Sequence, residues 1–192
     1  MTRVSGMSEP EASILWKRVD VAGLDNCRLL RTSSGWTLSG KAVYREEGVV
    51  TALSYDIHHD PAWITRTARI EGWSGAQPLT MEITRAADGT WRCNGEGLPA
   101  LEGCTDIDLG FTPATNTTAI RRLGLAAGAQ TEAVAAWLDT GDWALKPLAQ
   151  SYERLADDRY AYHSLASGFR ATLTTEGSGL VTDYPGLWSG VP

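Results

Sequence analysis

Apolar and polar residues alternate with a period of two along most of this chain, the pattern of strands that bury one face and solvate the other. Trp36, Leu38, Gly40, Ala42 and Tyr44 share one face of a segment whose other face is Thr37, Ser39, Lys41 and Val43. Leu53, Tyr55 and Ile57 alternate with Ser54, Asp56 and His58, and Leu79, Met81 and Ile83 with Thr80, Glu82 and Thr84. Turn signals separate these runs. Asp88-Gly89 and Asn94-Gly95 are hairpin pairs, since both residue types tolerate positive φ. Gly35, Gly48, Ser74-Gly75 and Gly177-Ser178-Gly179 mark further turns. The pattern predicts about a dozen short strands, all antiparallel, and their close spacing implies a sandwich, barrel or rolled sheet.

Two stretches fit more than one element. Thr131 to Leu138 is Ala-rich enough for a short helix, but Ala133, Ala135 and Trp137 alternate, which favours a strand. Lys146 to Arg154 can form a turn of helix after Pro147. No repeat or linker divides the chain, so residues 13–192 read as one all-β domain behind a polar, disordered tail at residues 1–12.

Composition narrows the partners. A net charge of −6 argues against nucleic acid or an anionic membrane face, which call for a basic surface. Cys27, Cys93 and Cys104 are odd in number and form no CxxC pair, as expected of reduced thiols. No apolar run reaches the ~18 residues of a membrane span, and Met1 to Pro10 lacks the apolar core of a signal peptide; a cytoplasmic protein is the expectation. Eight Trp against two Phe suit sheet cores, but also walls that stack on sugar rings or acyl chains. No cofactor is implied.

Four places carry candidate chemistry. In Trp63 to Trp73, strand alternation groups Arg66 with Ile64, Ala68 and Ile70; a charge there needs a carboxylate partner or a ligand. In Gly103 to Asn116, Asp106 and Asp108 are i, i+2 and so lie about 6.6 Å apart along one strand face. That spacing allows two carboxylates to flank a glycosidic bond, but a solvated strand face, or pairing with Arg66 or Arg121, shows the same pattern. Thr112 to Asn116 reads as a turn. Arg121 and Arg122, taken as strand neighbours, point to opposite faces, with Arg121 alongside Leu123 and Leu125. His58 and His59 likewise face opposite ways and find no third ligand, so no metal is expected. Near the C-terminus, Tyr184-Pro185-Gly186-Leu187-Trp188 is a turn followed by an apolar anchor, with Trp188 docking on the core or plugging a cavity mouth.

Taken in order, WKRVD (Trp16 to Asp20), Cys27 to Leu29, GWTLSGKA (Gly35 to Ala42), the Trp63 to Trp73 strand, WRCNG (Trp91 to Gly95), GCTDIDLGFTPATN (Gly103 to Asn116), Ile120 to Leu123, Ala135 to Leu138 and YPGLW (Tyr184 to Trp188) resemble the bacterial putative glycolipid-binding family, formerly a domain of unknown function. The resemblance runs from about Trp16 to Trp188. The chain departs from the family pattern near His59, where Cys-Asp is usual, and at Ile64, where Arg is usual. The resemblance implies a spiral β-roll, similar in outline to lipoprotein carriers and to a mycobacterial lipid-binding lipoprotein. It further implies that an amphiphile, a glycolipid or fatty acyl compound, binds non-catalytically inside the roll. Arg66, Asn94, Asp106, Asp108 and Arg121 would orient the head group, and Trp73 and Trp188 would serve as apolar walls. Two other classes stay open: a cytoplasmic enzyme, hydrolase or isomerase, using Asp106 or Asp108, and an interaction module pairing through a strand edge.

Overall fold

The computed structural model describes residues 9–191. A meander of eight strands comes first: β1 (Glu9–Arg18), β2 (Ala22–Thr32), β3 (Gly35–Glu46), β4 (Val49–His59), β5 (Thr65–Ser74), β6 (Gln77–Arg85), β7 (Trp91–Cys93) and β8 (Glu96–Gly97). A 3-10 turn at Pro99–Leu101 leads to β9 (Asp106–Leu109) and the helix α1 (Ala114–Leu123). Six more strands follow: β10 (Gln130–Asp139), β11 (Ala144–Ala156), β12 (Arg159–Ser164), β13 (Arg170–Thr175), β14 (Val181–Tyr184) and β15 (Trp188–Gly190). Of the tail expected at residues 1–12, residues 1–8 lie outside the described residues, and β1 begins at Glu9.

All fifteen strands among the described residues join one sheet, in the order β8 to β1, then β15 down to β9. The sheet is a roll that does not close into a barrel. The first and last of these described strands, β1 and β15, therefore meet mid-sheet, with Trp16 opposite Gly190 and Arg18 opposite Trp188. Trp16 clamps this seam, since its indole N–H donates to the Val181 carbonyl of β14 at 2.6 Å. The free edge of β9 turns back across the roll toward β5, where the Ile107 N–H donates to Thr65 Oγ1 at 3.3 Å.

The alternating faces fall as the pattern requires. Leu38, Ala42, Tyr44, Leu53, Tyr55 and Ile57 are buried and join Trp16, Ile70, Ile83, Trp91, Ile107 and Phe111 in one core. Asn94-Gly95 forms a two-residue turn with φ of 50° and 83°, as positive-φ residues should. At Asp88-Gly89 only Gly89 has positive φ; Asp88 instead accepts the Thr90 N–H on its carboxylate.

Three expectations are corrected. Thr112 to Asn116 is not a turn: Ala114 opens α1, and with it Arg121 and Arg122 lie on a helix, not a strand. Because α1 carries the chain across, β9 and β10 pair in parallel, the one such pair among the described strands. Lys146 to Arg154 is extended, within β11. Pro147 is tolerated there because it pairs with Ala136 on one side only; the ladder to β12 begins at Gln150, so no bond is lost to its missing N–H.

Helix α1 is unusual for a buried helix. Every residue from Ala114 to Ile120 is buried, four of them Thr or Asn. Gly124 ends it in the left-handed region at φ 53°, its N–H returning to the Ile120 carbonyl, the usual glycine termination. The helix thus occupies the space a hollow roll would leave, and its polar side chains must find partners there.

Candidate functional site

Those partners come chiefly from β9. Asp106 is 2% exposed and is held by Arg122 in a two-pronged pair, Nε to Oδ1 at 2.5 Å and Nη2 to Oδ2 at 2.7 Å. The strand face carrying both aspartates lies against α1, so the solvated-face reading is overturned. The partner of Asp106 is Arg122, one residue from the expected Arg121, because on a helix neighbouring side chains diverge by about 100° and only Arg122 points back at β9.

Asp108 sits at the floor of a cleft. Its carboxylate accepts from Gln150 Nε2 at 2.6 Å and from Thr115 Oγ1 at 3.4 Å. Gln150 also donates to the Tyr162 hydroxyl at 3.1 Å. Burial, reinforced by the charge of Asp106, pushes the Asp108 carboxyl up to about 6 against these hydrogen bonds.

The cleft encloses about 440 Å³ and opens to solvent. Trp137, Tyr162, Phe169, Tyr184 and Trp188 wall it, while Asp108, Asn116 and Ser167 supply polar groups. The rings form a continuous series. Tyr162 meets Tyr184 edge-on at 6.0 Å, Tyr184 meets Trp188 at 5.5 Å, and Phe169 lies 6.0 Å from Tyr184. The turn at Pro185 to Leu187 between β14 and β15 sets Tyr184 and Trp188 opposite one another in register. Burial pushes the Tyr162 and Tyr184 hydroxyls well above their ordinary values, so they enter the cleft neutral, as hydrogen-bonding groups. The Trp188 indole N–H has no partner among the described residues.

Of the residues expected at a site, Asp108 and Trp188 meet in this cleft and Asp106 braces the strand behind it. The others lie elsewhere. A bulge between His58 and His59 shifts the register against β5, turning Thr65 inward and leaving Arg66 38% exposed, paired with Asp60 at 2.6 Å. Arg66 is therefore not in an apolar row, and its carboxylate partner is not in the core. Asn94 is spent on its own hairpin, accepting the Glu82 N–H and donating to the Thr80 carbonyl. Trp73 is 44% exposed on the outer face. Arg121 faces a separate cavity at the other end of α1. His59 is buried against Thr118, Nε2 to Oγ1 at 2.9 Å.

Gln150, Asn116, Tyr162 and Phe169 were not singled out by sequence. Tyr160 and Tyr162 alternate in β12, which was a usable signal for an aromatic face; nothing local marks Gln150, which enters only because β11 lies one strand from β9, with β10 between them.

A single-domain rolled sheet with a buried polar helix and an open aromatic cleft is the class these features define. The chain belongs to the family described as putative glycolipid-binding, whose family model matches residues 13–190. It is similar in structure to a DUF1089 family protein from Pseudomonas aeruginosa, at 30% identity and a TM-score of 0.77, over 100% of this chain and 98% of that one. No curated protein sequence matches the chain.

Proposed function

We propose that the protein binds an amphiphile, a glycolipid or fatty acyl compound, without chemical change, in the cleft between Asp108 and Trp188. The observation that carries this reading is the composition of the cleft: five aromatic rings around a floor with one carboxyl. Such rings stack on the C–H faces of a sugar or flank an acyl chain, while a few polar groups fix orientation. Asp108, Asn116 and the tyrosine hydroxyls accept and donate to head-group hydroxyls. The volume suits a head group with the first part of a chain, because α1 fills the rest of the roll. The family description points the same way.

The test is native mass spectrometry of freshly purified protein followed by organic extraction. A stoichiometric added mass that extracts as a lipid is expected. A bare protein mass, with no retention of added glycolipid, would end the reading.

One observation favours a second reading, a hydrolase. The raised pKa of Asp108 keeps part of the population protonated near neutrality, the state a general acid needs, whereas Asp106 is committed to Arg122. Unchanged turnover in Asp108→Asn, on any substrate found by screening, would remove it.

A further inference from the structure

The cavity at the far end of α1 has its own construction. It measures about 560 Å³ and opens to solvent among Trp36, Trp63, Arg121, Arg154, Glu176 and Gly179. Trp36 and Trp63 stack at 5.1 Å with 19° between planes, and the Arg121 guanidinium carbon lies 5.5 and 5.3 Å from their ring centroids. A cation held against indole faces is attracted to them without using its N–H donors.

Two features fix this arrangement. Gly179 gives the Arg121 stem its path, since a Cβ there would stand 2.9 Å from Arg121 Cδ. Trp63 holds its ring in place from a left-handed backbone at φ 64°, a costly conformation for a bulky residue. Asp60 maintains it. The Trp63 N–H donates to the Asp60 carbonyl, the Asp60 carboxylate accepts from the Ala62 and Ile64 N–H groups, and Arg66 braces that carboxylate.

Of the other charged groups, Arg154 is committed to protein partners, and Glu176 is hydrogen-bonded but not ion-paired among the described residues. Arg154 donates to the carbonyls of Leu125 and Ala156 and pairs with Asp157. Glu176 accepts from the Ser178 hydroxyl at 2.5 Å. Arg121, against the two indoles, makes no hydrogen bond to a protein acceptor and no ion pair with a carboxylate among the described residues. Its fork of donors, facing a cavity, matches an oxyanion in two-pronged fashion.

We propose that this cavity is a second ligand site, distinct from the aromatic cleft, which takes an oxyanion, the phosphate or carboxylate of a small molecule or head group, on the Arg121 guanidinium beside the Trp36–Trp63 pair. It is independent of what the cleft binds.

The experiment is a titration of the full chain with inorganic phosphate, read from the indole N–H signals of Trp36 and Trp63 in nitrogen–proton correlation spectra. Sodium chloride at matched ionic strength serves as the reference. Saturable shifts of these two signals are expected, weakened about tenfold or more in Arg121→Gln, the size of effect of losing a charge-assisted bond. Parallel titrations with glycerol 3-phosphate and acetate identify the source. A tighter response to the ester assigns the site to an organic phosphate, an equal one to the free ion, and a preference for acetate to a carboxylate. Shifts that do not saturate, that sodium chloride reproduces, or that persist unchanged in Arg121→Gln overturn the proposal. Should Arg121→Gln fail to fold, Arg121→Lys decides: a several-fold weaker response supports the guanidinium fork, and an unchanged one overturns it.

Discussion

Asp25 is a carboxyl with no ion-pair partner among the described residues. It is 1% exposed, hydrogen-bonded by Thr112, with the Tyr55 hydroxyl 3.3 Å away. Burial, the dominant cause, pushes it from an ordinary 3.8 up to about 8 despite these bonds. The folded protein thus keeps a proton that the unfolded chain has released by pH 4, so this residue costs stability progressively as pH rises from about 4 to 8 and no further above 8. His59 acts in the opposite sense. Burial lowers it from 6.5 to about 3, so its contribution is complete above 6.5 and is lost as pH falls toward 3. Between pH 6.5 and 8 the Asp25 effect stands without that opposition. Asn fits the same partners, since its amide can donate to Thr112 while its oxygen accepts from Tyr55. Asp25→Asn is expected to melt higher than the natural protein at pH 8, with the advantage shrinking toward pH 5; thermal melts followed by circular dichroism at both values check it. The same scale shows what sequence can reveal of a site. Asp108 was legible as one of an i, i+2 pair, but not the separate commitment of Asp106, which depends on Arg122 reaching back from an element that the local pattern does not announce.

At the scale of elements, alternation found the strands because each buries one apolar face. It missed α1 because that helix is buried all round with Thr115, Asn116, Thr117 and Thr118 at its centre, leaving no apolar stripe of helical period to detect. Its stability is borrowed from side-chain partners, foremost Arg122 on Asp106. Asp106→Asn would leave the largely buried Arg122 charge without its counterion, and a loss of about 3–5 kcal/mol in unfolding free energy is expected, measured by urea denaturation. Arg122→Met with Asp106→Asn should recover part of that loss. A result in which Asp106→Asn costs no more than an exposed substitution would show that the helix is held by other contacts. Bulges are equally silent in sequence: the one residue added opposite His58 and His59 inverted the expected inside and outside for Arg66.

For the whole molecule, the sheet consists of two meanders joined where β1 meets β15. Register covers three residue pairs there, reinforced by the Trp16 indole bond to Val181 and by Arg18, whose guanidinium lies 4.6 Å from the Tyr44 ring and 5.5 Å from that of Trp188. Removing residues 185–192 should therefore do more than trim an end. It takes away Trp188 from the cleft and the strand that pairs with β1 to continue the sheet between the halves, and a broad, non-cooperative urea transition is expected where the intact chain shows a single sharp one. A sharp transition in the shortened chain would mean that the interior contacts of α1 suffice to hold the two meanders together.

The seam also imposes an order in time. During synthesis β1 emerges well before β15, so the eight-strand meander has to wait, with one side of β1 showing unpaired N–H and C=O groups, until the second meander has followed it. An open edge of that kind recruits other chains, and closing it requires contacts between residues about 170 positions apart, which form slowly. Messages that stall before β15 has been made should accordingly yield insoluble product, although every residue of the first meander is already present.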